Sequence, residues 1–198
     1  MRVIVTYSFV GGVEKIDQGE LDRIVESVYT RLGYLVVQSS ELDDVLFDLY
    51  WVATGKSRPV AVNDLRGLTL GRMVGRVLDA FKANITDAAL LARLATVEPR
   101  LLQTVVSRNE FIHASYAVSM DGSVHRERRP RERAVEQTIK MMPDDIAAAG
   151  DEVGAVTEIL LELYDATVEA KGGLPPQAAE IRDGITYPHN HEYVDTTG

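Results

Sequence analysis

The amino-acid pattern predicts a mostly α-helical protein, an up-and-down bundle of four or five helices with a small β-hairpin element inserted before the last helix. Three observations carry this. Apolar residues recur at three- and four-residue steps through long stretches, the signature of helices with one buried face. The breaks between those stretches are short, which suits antiparallel neighbours. One Asp-Gly dipeptide, Asp121-Gly122, sits between two runs of β-favouring residues and marks a hairpin. The 198 residues are enough for one compact domain, and 45% apolar with 26% charged residues is the balance of a globular chain.

Taken in order, "RVIVTYSFV" is rich in β-branched and aromatic residues and stops at Gly11-Gly12, so residues 2–10 are expected to form a strand. From Glu20 to about Ala53 the positions Leu21, Ile24, Val25, Val28, Leu32, Leu35, Val36, Leu42, Val45, Leu46 and Leu49 describe one long helix, or two joined near Gly33 or Ser39-Ser40. "TGKSRP" reads as a loop. A helix from Thr69 carries Leu70, Met73, Val74, Val77, Leu78 and Phe81 on one face. Thr86-Asp87 opens a further helical segment, and Pro99 is tolerable in it only as a kink or as the first turn of a new helix. After His113 come a strand, the Asp121-Gly122 turn and a second strand, with "AVEQTIKMM" as a third. Pro143-Asp144-Asp145 starts the last helix, which stops at Gly172-Gly173. Residues 1–172 therefore form a single helical-bundle domain, and residues 173–198, which lack periodicity, an extended arm.

No apolar run approaches the length of a membrane span, and "MRVIVTYSFVGG" lacks the organisation of a signal peptide, so a cytoplasmic location is expected, with no membrane partner. The absence of cysteine rules out disulfides and thiolate chemistry. A formal charge of -9 argues against broad coating of nucleic acid. One tract runs the other way: "HRERRPRER" holds five arginines against two glutamates, a local excess suited to an anionic ligand or, more simply, to a solvated surface. His189, His191 and Glu192 in "PHNHEY" are metal-ligand types without a third or fourth partner at a recognisable spacing, so neither metal nor cofactor is expected.

The stretch "SRNEFIHASY" asks the functional question. On a helical wheel that sets Leu102 at 0°, Val105 falls at about 300°, Val106 at about 40°, Ile112 at about 280°, Asn109 at about 340° and His113 at about 20°, so Asn109 and His113 lie within the apolar stripe, with Arg108 at its border at about 240°. Polar groups on a core stripe must be hydrogen-bonded or open to a cleft. A satisfied core network and a working site both meet that demand.

Arg108-Asn109-Glu110-Phe111-Ile112-His113 resembles the R-x(4 to 6)-H motif of HEPN (higher eukaryotes and prokaryotes nucleotide-binding) proteins. "SSELDDVLFDLYW", "LTLGRMVGRVL" and "RNEFIHASY", followed by the hairpin and a final helix, are similar in order and spacing to bacterial members over Gly33 to Lys171. The resemblance implies a HEPN-like bundle and a homodimer whose two motifs face each other. It further implies a metal-independent endoribonuclease in a toxin or phage-defence setting. In that reading His113 is the acid/base, Arg108 holds the phosphate and Asn109 orients the ring or substrate. Arg126, Arg128, Arg129, Arg131 and Arg133 would grip RNA. The alternative is a catalytically silent HEPN-like bundle acting by dimerisation, or by binding a protein or ligand.

Overall fold

The computed structural model describes residues 2–5, 16–119, 121–128 and 137–174. Five helices and four short strands follow one another: β1 (Arg2–Val5), α1 (Gln18–Thr54), α2 (Arg58–Leu65), α3 (Leu70–Asn84), α4 (Ala88–Ile112), β2 (Ser115–Val118), β3 (Val124–Arg128), β4 (Gln137–Met141) and α5 (Pro143–Ala170). The protein is mostly helical, with its hairpin ahead of the last helix.

The long apolar pattern forms one unbroken helix. Asp17 caps α1 by accepting from the Glu20 amide at 2.8 Å, and Gly55 ends it in the left-handed conformation, φ 63°, that glycine adopts without strain. Gly33 and Ser39 do not joint it. Ser39 is buried, and its hydroxyl donates to the Leu35 carbonyl one turn back at 2.6 Å, so the helix satisfies it internally. Val28, Leu32, Leu35, Leu42 and Leu46 are fully buried.

The loop read in "TGKSRP" is present at Gly55, Lys56 and Ser57, and its last two residues, Arg58 and Pro59, open a short helix, α2, that the sequence pattern did not mark. α2 docks on the end of α1 through Tyr50, whose hydroxyl donates to Asp64 at 2.9 Å, and through the Arg58 guanidinium, which lies 5.6 Å from the ring centres of both Phe47 and Trp51. α4 passes through Pro99 without ending. Its Asp87 cap accepts from the amides of Ala89 and Leu90.

Cross-helix contacts set the directions. Arg31 meets Asp144, and Lys171 meets the carbonyls of Val52 and Ala53, so α5 runs parallel to α1. Arg100 pairs with Glu152 and Arg93 with Glu162, so α4 runs antiparallel to α5. α1 and α5 approach closely because glycine faces α1: a Cβ built on Gly150 would stand 2.7 Å from the Tyr34 ring. The four strands form one sheet in the order β1-β2-β3-β4. β1 is parallel to β2, and the other pairs are antiparallel. The remainder of the strand expected over residues 2–10 and the arm from residue 175 onward lie outside the described residues.

Candidate functional site

α4 delivers Arg108 inward. Leu90, Leu94, Val97, Leu101, Thr104 and Val105 are its buried residues, and Arg108 continues that face by one turn, half-buried between α4 and α1. Its Nε donates to the Ser39 hydroxyl at 3.2 Å and a terminal nitrogen donates to Asn109 Oδ1 at 2.9 Å. Ser39 is thus shared: its oxygen accepts from Arg108 while its hydroxyl proton is spent on the Leu35 carbonyl.

One turn along α1 stands Asp43, whose Oδ1 is buried and without a hydrogen-bond partner among the described residues. Burial pushes its carboxyl above the usual carboxylate range; the nearby Arg108 charge pulls it back, and Asp44 adds to the rise. Burial in turn lowers the Arg108 pKa, and Asp43 opposes that. Arginine remains charged regardless, so the guanidinium acts as the counter-charge to a carboxylate that burial makes costly. The sequence reading missed Asp43 and Ser39 as site residues. The available signal was their place in "SSELDD", four residues apart and hence on one helix face.

The stripe centred on Leu102 divides, which corrects the expectation that all of it is the core face: Val105 is buried and Ile112 packs against the core, while the remainder turns outward. Leu102 is 45% and Val106 53% exposed, Asn109 is half-buried and His113 is exposed. His113 is the residue that ends α4; its backbone amide donates to the Asn109 carbonyl at 3.2 Å, while its ring makes no hydrogen bond among the described residues. Arg108 and His113 therefore leave α4 on different sides, the first toward Ser39 and Asp43, the second toward solvent.

Arg126, expected to contact a ligand, is 11% exposed and tied down. It pairs with Glu110 at 3.3 Å and lies 4.9 Å from the centre of the Phe111 ring. Beneath it the buried Tyr116 hydroxyl donates to the Phe111 carbonyl at 2.7 Å, and burial raises that phenol's pKa. These contacts brace β2 and β3 against the last turn of α4. Arg128 lies on β3. Arg129, Arg131, Arg133 and the "PHNHEY" histidines lie outside the described residues. At the hairpin turn the Ser123 hydroxyl donates to Asp121 at 2.6 Å and lies 2.8 Å from His125 Nε2, a local chain that closes the turn.

Comparison with protein-family models, curated proteins and solved structures yields no match.

Proposed function

We propose that the protein is a catalytically silent helical bundle of HEPN-like type that works through protein contacts. The observation that supports this is the division of the motif across α4. Arg108 is held by Ser39 and Asn109 beside Asp43, and His113 stands exposed on another side of the helix. Metal-free RNA cleavage needs a proton-transfer group and a cation converging on one phosphate. Within one chain these two diverge, and the arginine's charge is already answered by an acid. The outward stripe of Leu102 and Val106 supplies the apolar surface that a contact module requires.

The second reading, a metal-independent endoribonuclease acting as a homodimer in toxin or phage-defence biology, draws support from Asn109 and His113 continuing that exposed stripe. One experiment separates the two: total RNA and tRNA incubated in EDTA with the purified protein, beside His113→Ala and Arg108→Ala. The contact-module reading expects no cleavage by the parent and early melting of Arg108→Ala. Cleavage that His113→Ala abolishes while its melting temperature stays unchanged would overturn that reading.

A further inference from the structure

A second cationic tract lies wholly within the described residues. Residues 56–76, which span the loop after α1, all of α2 and the first turns of α3, hold Lys56, Arg58, Arg66, Arg72 and Arg76 against one carboxylate, Asp64. In a chain of net charge -9 this is a local reversal of sign. Asp64 is already taken, since it accepts from the Tyr50 hydroxyl and the Lys56 ammonium. Arg66, Arg72 and Arg76 are exposed and form no ion pair among the described residues. Local rules disfavour their placement. Arg72 stands in the first turn of α3, where the helix dipole repels a cation, and Arg76 repeats the charge one turn on. Beside these cations α2 exposes Val60 (47%) and Val62 (46%). A surface that is both cationic and apolar fits an acidic, partly apolar peptide.

We propose that the chain's own residues 175–198 occupy this surface. α5 delivers them to the right end of the bundle: Lys171 donates to the carbonyls of Val52 and Ala53, beside the start of the tract. Gly172 and Gly173, at φ 77° and 117°, then turn the chain, and Leu174 packs against the core. The charge is complementary. Glu180, Asp183, Glu192 and Asp195 stand against Arg182 alone, with Ile181 and Ile185 among them as the apolar counterpart of the α2 valines.

Reach is sufficient. The 24 residues can extend to about 80 Å, against about 22 Å for the whole of α3. The chain's other arginine-rich tract, in the hairpin, lies toward the opposite end of α1, where a Cβ on Gly122 would stand 3.2 Å from Ile24 Cδ1. The cations of α2 and α3 are therefore the nearer ones, and a tethered segment meets them at high effective concentration. With the segment in place, Arg72 and Arg76 are closed to outside polyanions. The inference concerns one chain alone and is independent of the contact-module reading.

The chain has no cysteine, so a nitroxide can be attached at one chosen site of the full-length protein. Asn63→Cys places it on the exposed side of α2, and Thr30→Cys on the exposed side of α1, about 36 Å back along the helix from Thr54. In amide NMR spectra the label at 63 is expected to broaden away the signals of residues 181–195, and the label at 30 to leave them. Arg72→Glu with Arg76→Glu should restore those signals. Adding Glu180→Arg with Asp183→Arg should remove them again, because the exchanged charges pair. Circular dichroism checks that each variant is folded; if the α3 pair is not, Glu180→Arg with Asp183→Arg alone, set against the native arginines, should give the same restoration. Signals untouched by the label at 63, or lost equally to both labels, overturn the proposal. So does broadening in an unlabelled chain mixed with spin-labelled chains, which would seat the segment on another copy. Signals that stay lost in the folded charge-reversed variants overturn the pairing.

Discussion

Replacing Arg108 with methionine keeps most of the side-chain volume and removes only the charge and its donors, so Arg108→Met tests whether the arginine is structural. Two hydrogen bonds disappear, to Ser39 Oγ at 3.2 Å and to Asn109 Oδ1 at 2.9 Å. They do not weigh equally. Asn109 is half-buried and regains water, whereas Ser39 is buried, although it keeps its bond to Leu35. The loss at Ser39 is on the order of 1 kcal/mol. Asp43 then loses the counter-charge that offsets its burial, a further cost of about 1 to 2 kcal/mol for a group that is only partly enclosed. A total of about 2 to 3 kcal/mol lowers the melting temperature by roughly 4 to 12 °C in a domain of this size. The pH dependence isolates the charge. The folded Asp43 pKa lies above the unfolded value, so the native state holds this proton more tightly. Stability is therefore lost as pH rises through the folded pKa, and the cost is fully present above it. Removing Arg108 raises that pKa further, so the deficit of Arg108→Met relative to the parent should be largest near neutrality and shrink in acid, as Asp43 takes up its proton in both. Thermal unfolding followed by circular dichroism at the two pH values measures this. An equal deficit at both, or none at either, refutes the counter-charge argument.

Three further outcomes follow from the packing. Arg108→Met combined with Asp43→Leu should recover part of the lost stability, because the stranded carboxylate is gone; a double-mutant cycle in urea reads the coupling. Lys171→Met removes the two 2.9 Å bonds to the carbonyls of Val52 and Ala53 that close the end of α1, and should lower the melting temperature by about 2 to 6 °C, seen by scanning calorimetry. Gly150→Leu should destabilise by about 1 to 3 kcal/mol by driving the Tyr34 ring off α5, whereas Gly154→Ala meets only the end of the Gln38 side chain and gains helix propensity, so chemical denaturation should find it neutral or slightly more stable.

How far these contacts were legible depended on whether their cause was local. Helix α3 follows directly from its apolar spacing, and the Asp87 cap of α4 and the first-turn Pro143 of α5 lie where their chemistry puts them. The parallel partner of β1 is β2, more than a hundred residues away, and no local pattern encodes that pairing. α2 is too short for periodicity and is held by Tyr50, Asp64 and Arg58, contacts that exist only once α1 has ended. α4 shows a different limit. A wheel built on Leu102 found a true stripe, with Val106, Asn109 and His113 in line, and assigned it to the core because apolar residues define cores. Yet α4 has apolar residues on two sides, and periodicity gives the direction of a stripe relative to its helix, not relative to the other helices. What decides is the rest of the bundle: α4 packs against α5, α3 and α1 with Leu94, Leu101 and Val105 buried, so Arg108 turns inward and His113 outward. The same fact moves Arg108 and His113 apart and leaves Leu102 and Val106 exposed among the described residues.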